Sequence, residues 1–224
     1  MLISRIVAPY FATNCWLVAP GPQGECVVVD PGIAVPDLAE KILEKTRSLG
    51  LKPVAVLITH GHLDHMFSLL PLCQGSGIDA AYIHPQDRDL LTRPEKALGP
   101  QGLSLLKQLA PNKKWQEPSG IIEVTDGDSI EVAGLQIEMI HAPGHTKGSL
   151  MFRIADEVLI SGDVLFKGGI GRTDLPTGSA RAMEETLKEK VLTLPDHLRV
   201  LPGHGDESTI GQERMTNPYL LELL

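Results

Sequence analysis

Three short runs open the chain, Leu2–Val7, Cys15–Ala19 and Glu25–Asp30, each strand-like in length and apolar content. The Pro and Gly residues between them suit antiparallel pairing. From Pro36 to Leu49 the period changes: Leu38, Ile42, Leu43 and Leu49 recur at helical spacing, with Gly50 just past the end. That predicts an amphipathic helix with a conventional stop. Pro53–Thr59 is an apolar strand that runs straight into a loop dense in histidine. A helix is expected from about Met66, a strand at Ala80–Ile83 and a polar helical stretch over Pro94–Leu109. Pro111–Gly120 is the most loop-like segment and a candidate lid. Strands return at Ile121–Val124, Ser129–Val132, Leu135–His141, Leu150–Ile154 and Glu157–Ser161. Ser179–Leu194 predicts a helix, Arg199–Leu201 a strand, and a closing helix starts near Thr209. Strands thus come in two runs, each interleaved with helices. Two sheets stacked face to face with helices outside fit this better than an alternating doubly wound sheet.

Length and charge narrow the picture. A chain of 224 residues can bury one sizeable core, and residues 1–224 are read as a single domain. Its longest apolar runs fall far short of the ~20 residues needed to cross a bilayer. The start, Met1 to Arg5, lacks the apolar core of a secretion signal. With 28 acidic against 20 basic residues the formal charge is −8, which argues against nucleic acid or an anionic membrane as partner. The three cysteines, Cys15, Cys26 and Cys73, have no metal-like spacing and lie in or beside apolar segments. They are expected to be buried free thiols, which places the protein in a reducing compartment, the cytoplasm.

Candidate chemistry centres on Thr59-His60-Gly61-His62-Leu63-Asp64-His65. Three imidazoles and a carboxylate within six residues, just past an apolar strand, offer the nitrogen and oxygen donors that divalent metals prefer. Three further candidates share the placement. Leu135–Ile140 leads to Pro143-Gly144-His145, Val158–Ile160 to Ser161-Gly162-Asp163, and Val200-Leu201 to Pro202-Gly203-His204. Glycine beside each ligand permits the tight turns that aim it inward, and strand ends gathered on one rim form a binding crevice. His141 sits on a strand and is read as lying behind the site, and Asp30, after another apolar strand, as a support for the ligands.

The ordered series His-x-His-x-Asp-His, Pro-Gly-His-Thr, Ser-Gly-Asp and Pro-Gly-His resembles the metallo-β-lactamase fold superfamily over essentially the whole chain. Gly162–Phe166 followed by Gly171-Arg172-Thr173-Asp174 is similar to its glyoxalase II-like and persulfide dioxygenase branches. The resemblance implies an α/β fold, a four-layer αβ/βα sandwich. It also implies two divalent metal ions, zinc foremost with iron or manganese as alternatives. His60, His62 and His145 would hold the first ion, and Asp64, His65 and His204 the second. Asp163 would bridge them, and Asp64 doubles as the catalytic carboxylate. Arg172 falls where glyoxalase II enzymes place a substrate-binding lysine, so it is a candidate anchor for a substrate carboxylate. The β-lactamases proper carry cysteine or serine in place of Asp163, so the resemblance points away from antibiotic hydrolysis.

Two divalent ions against Asp64, Asp163 and a hydroxide leave about one positive charge, which attracts a carbonyl oxygen. Water shared by two metals ionises near neutral pH and supplies the nucleophile. An amide nitrogen would need an acid to leave, whereas a thiolate, with a pKa of about 8.5–9, leaves unassisted. Hydrolysis of a small acyl-thiol such as S-lactoylglutathione is therefore the expected activity, with lactone or ester cleavage next. The rival is a persulfide dioxygenase that holds one iron through His60, His145 and Asp163, a 2-His-1-carboxylate set. Full-length glyoxalase II enzymes carry a further C-terminal domain that grips glutathione; here about twenty residues follow His204, and only a terminal helix is expected. Oligomeric state is left open.

Overall fold

The computed structural model describes residues 1–111 and 113–224. Its first half runs β1 (Leu2–Val7), β2 (Asn14–Ala19), β3 (Gly24–Val29), α1 (Ala39–Ser48), β4 (Leu51–Leu57), α2 (Leu63–Met66), α3 (Leu69–Ser76), β5 (Ala81–Ile83), α4 (Pro85–Arg88), α5 (Pro100–Leu109) and β6 (Ile121–Glu123). The six strands form one sheet in sequential order. β1, β2 and β3 pair antiparallel as predicted, while β3 to β6 pair parallel. The second half runs β7 (Ser129–Val132), β8 (Leu135–His141), β9 (Leu150–Ile154), β10 (Val158–Gly162), the hairpin β11 (Leu165–Phe166) and β12 (Gly169–Ile170), α6 (Ala180–Glu189), β13 (Arg199–Pro202), β14 (Ser208–Thr209), α7 (Ile210–Thr216) and α8 (Pro218–Leu221). Its main sheet has the order β14-β13-β10-β9-β8-β7.

Alternation along the strands builds the layers. Trp16, Val18, Val27, Val29 and Leu57 of the first sheet meet Ile137, Met139, Phe152, Val158 and Ile160 of the second in a shared buried core. The intervening Leu17, Val28 and Val56 turn outward onto Ile42, Leu69 and Leu72 of α1 and α3. Leu159 and Val200 turn onto Met183 and Leu187 of α6 and Ile210 of α7. Central strands are therefore buried on both faces, which is why they read as unbroken apolar runs rather than alternating ones. The result is the expected αβ/βα sandwich.

Local differences have local causes. The predicted helix Pro94–Leu109 is divided into a 3-10 turn, Pro94–Ala97, and α5. Gly99 is held extended ahead of Pro100, which starts a new helix. The histidine loop ends in the helical turn α2, and α4 and the β11–β12 hairpin were not anticipated. In the predicted loop Pro111–Gly120, Asn112 lies outside the described residues. Lys113 lies over the rings of Phe67 and Trp115, which meet edge to face, just beyond the histidine run. Among the described residues no helix is long and apolar enough to cross a membrane.

Candidate metal centre

One end of the sandwich collects the ligand candidates. β10 and β13 are parallel, so Asp163 and His204, just past their ends, emerge side by side. Gly203 N–H donates to Gly162 O at 2.8 Å. Only glycine fits at position 203, because a Cβ there would collide with Asp163 Oδ1 and His65 Cε1. β8 runs in the same direction as β10, being antiparallel to β9 as β10 is, so His145 follows at the same end. Leu150 N–H donates across the sandwich to Thr59 O at 2.7 Å, bringing the end of β4 and its histidine run to the same rim.

All seven predicted ligands meet there. His60 Nε2, His62 Nδ1 and His145 Nε2 lie 2.7–3.1 Å from one another. Beside them, Asp64 Oδ2, His65 Nε2 and His204 Nε2 lie 3.2–3.5 Å apart. Asp163 faces both groups: Oδ2 is 3.5 Å from His145 Nε2 and from His204 Nε2, and Oδ1 is 3.4 Å from His65 Nε2. His60, His62, His65 and His145 are buried, whereas the side chains of His204 and Asp64 are 27% and 20% exposed, so the centre opens on their side.

The tautomers follow from the outer partners. His145 Nδ1 donates to Arg172 O at 2.8 Å and His204 Nδ1 to Phe11 O at 3.1 Å. His65 Nδ1 donates to Asp30 Oδ2 at 2.9 Å. Thr59 Oγ1 donates to the same carboxylate, which leaves it to accept from His60 Nδ1 at 3.0 Å. Each of these Nε2 atoms therefore turns a lone pair inward. The lone pairs of His60 Nε2 and His145 Nε2 face one another at 3.1 Å and repel unless a cation lies between them. Asp163 Oδ1 and His62 Nε2 are buried without any hydrogen-bond partner. The first is a further donor atom awaiting a positive charge, and the residues present fit a metal centre.

Electrostatics agree. Burial, reinforced by the neighbouring imidazoles, keeps His60 well below the ordinary histidine range and lowers His62 to about 3, so both stay neutral ligands. Burial would raise Asp64 and Asp163, but His65 and the other imidazoles hold both below the usual carboxylate range. His65 shows the converse: burial opposes its protonation, and Asp163, Asp64 and Asp30 outweigh burial and raise it. These carboxylates favour a positive charge among themselves, which a bound cation supplies.

Two candidates resolve differently from the ligands. Asp30 does support the site, through Thr59 N, Thr59 Oγ1 and His65 Nδ1. Arg172 touches the site through its carbonyl. Its guanidinium turns to Asp174, with Nε and Nη2 each 2.7 Å from a carboxylate oxygen. His141 is not among the ligands: its ring stacks on His84 at 4.0 Å, and its Nε2 lies 2.8 Å from Lys147 O. Sequence reading missed Thr13, whose Oγ1 donates to Asp64 Oδ2 at 3.1 Å, and Asn14 and Trp16, which donate to Pro202 O and so steady the His204 turn. It also missed Asp87, buried four residues past the end of β5. A carboxylate following a strand end was the available signal.

A fold of this kind around paired histidine–carboxylate groups defines a metal-dependent enzyme class. Residues 8–204 match the metallo-beta-lactamase superfamily, and the chain belongs to it. The chain is 40% identical over 227 residues to the uncharacterized protein Rv2581c of Mycobacterium tuberculosis, with 98% of each chain covered. It is 33% identical over 222 residues to the hydroxyacylglutathione hydrolase GloC of Haemophilus influenzae, again with 98% of each covered. Among solved structures, the BLEG-1 B3 metallo-beta-lactamase superposes with a TM-score of 0.84 at 30% identity, covering 98% of this chain and 99% of that one. TTHA1623, solved in a di-iron-bound form, superposes at 0.78 and 31% identity, covering 97% and 100%.

Proposed function

We propose that this protein is a metal-dependent thioesterase that hydrolyses small acylated thiols of the S-lactoylglutathione type. The observation that carries the reading is the pair of adjacent ligand groups, His60–His62–His145 and Asp64–His65–His204, with Asp163 facing both. Bound there, two divalent ions would supply ionised water at neutral pH and polarise the substrate carbonyl. The chain's own residues do the rest. Outer hydrogen bonds fix His60, His65, His145 and His204 in the ligating tautomer. Asp64, ionised on the open side and oriented by Thr13, is the carboxylate that would orient such a water. Asp64 and Asp163 are both held ionised, so neither is a proton donor for a leaving group. A thiolate leaves without one, which favours thioesters over amides. The likeness to GloC across nearly the whole chain supports the same substrate class.

The likeness to BLEG-1 calls for a β-lactam arm in the test, despite aspartate at position 163. The dioxygenase alternative draws on His145 Nε2, which lies 3.1 Å from His60 Nε2 and 3.5 Å from Asp163 Oδ2. Intact Asp64, His65 and His204 favour the two-metal reading over it. Freshly purified protein should contain two metal ions per chain and cleave S-lactoylglutathione, and a chelator should abolish cleavage. One iron per chain with oxygen uptake on glutathione persulfide would establish the dioxygenase instead. β-Lactam opening without thioester cleavage would overturn the substrate class.

A further inference from the structure

Asp87, on α4, is fully buried and accepts three hydrogen bonds. Gly61 N–H and Thr146 Oγ1 donate to its Oδ2 at 2.8 and 2.6 Å, and Gly148 N–H donates to Oδ1 at 2.9 Å. Gly61 lies between His60 and His62, and Thr146 directly follows His145. One carboxylate therefore grips both segments that deliver the first ligand group, one following β4 of the first sheet and the other following β8 of the second. The grip is close: a Cβ on Gly148 would stand 2.7 Å from Asp87 Cγ. Thr146 is aligned in turn by Ser149, whose Oγ accepts from Thr146 N–H at 3.0 Å and lies 2.8 Å from Thr146 Oγ1.

The second ligand group is tied elsewhere. Asp64 is held by Thr13, His65 by Asp30 and His204 by Phe11 O. Hydrogen bonds to Asp87 thus touch the surroundings of three ligands and leave the other three alone.

The geometry points to Asp87 as a positioning residue for the His60–His62–His145 group, setting the affinity of that metal position independently of its neighbour. This rests on the reading of the cluster as a metal centre and not on the substrate. Asp87→Asn keeps one acceptor oxygen for three converging donors and sets an NH2 against at least one of them. Thr146→Val removes a single bond and leaves the carboxylate in place.

The test is a titration of metal-stripped protein with zinc ions alone, in competition with a chromophoric chelator. Wild type should show two binding events. Asp87→Asn should weaken one of them by about 10–100-fold, the range for groups that orient metal ligands. Thr146→Val should weaken the same event by a smaller factor, and it decides the matter if Asp87→Asn does not fold. In a His204→Ala background, where the first group alone is intact, Asp87→Asn should lower the remaining affinity by the same factor. A merely structural role would weaken both events together, and that result, or no change at either, would overturn the inference. Fewer than two zinc ions bound by wild type would overturn the two-metal reading itself, and the inference with it.

Discussion

Each inward-facing Nε2 of the ligand histidines is exposed to the metal position by a bond made on the opposite side of its ring, to Thr59, Asp30, Arg172 O or Phe11 O. The ligands themselves were legible in the sequence because four lie within six residues and the rest follow apolar strands. Of their supports only Asp30 was, because Asp87 and Thr13 act on residues that are distant in the chain. Arg172 illustrates the same limit. The resemblance placed it near the site, but its guanidinium pairs with the carboxylate two residues on and lowers Asp174 to about 2. Asp174 stays ionised at every pH above that, so the pair persists across the working range and loosens only as pH falls toward 2. Arg172→Ala keeps the carbonyl that holds His145. Metal content should be unchanged and the KM for S-lactoylglutathione should move by less than about fivefold, the scale of an exposed ion pair. A tenfold or larger rise in KM, measured between pH 6 and 8, would show that the guanidinium grips substrate.

Among the elements, the small ones escaped prediction. The β11–β12 hairpin is two residues a side, too short for a periodic signal, yet its Phe166 ring lies 6.1 Å from His204. The C-terminal helices hold it in place. Glu213 of α7, fully buried, accepts from Gly168 N–H at 2.7 Å, from Asn217 Nδ2 at 2.9 Å and from Ser208 Oγ. Asn217 in turn donates to Gly169 O at 3.0 Å. Removing this carboxylate strands several buried donors, at a cost of about 3 kcal/mol. At about 2–4 °C per kcal/mol for a chain of this size, Glu213→Ala should lower the Tm by roughly 6–12 °C. A drop under 2 °C in thermal unfolding would show that the hairpin is held by something else.

Across the whole molecule, it is the packing of the first sheet and its helices that seals the thiols inside. Cys15 and Cys26 lie in the central strands and Cys73 in α3, all three buried and unpaired. Burial pushes Cys26 and Cys73 up to about 12 and Cys15 well above its ordinary value. At pH 8 almost no thiolate is present in the folded state, and the thiolate is the reactive form. An alkylating reagent should label none of the three over an hour in the native protein and all three in guanidinium. Rapid labelling of one in the native state would reveal an opening of the layer that covers it.

What the sequence determined by itself is what short-range pattern can encode. Apolar runs broken by Pro and Gly predicted most of the strands and, by their grouping, two stacked sheets. Histidine and aspartate just past those runs predicted the ligands, because a strand end with glycine beside it has few places to point. Only the tertiary structure decided which way most of the imidazoles carry their protons and that the Arg172 guanidinium pairs with Asp174. It alone brought Asp87, Thr13 and Glu213 to their partners. Most of those outcomes depend on which donors and acceptors the packing brings face to face, and separation along the chain carries no information about that.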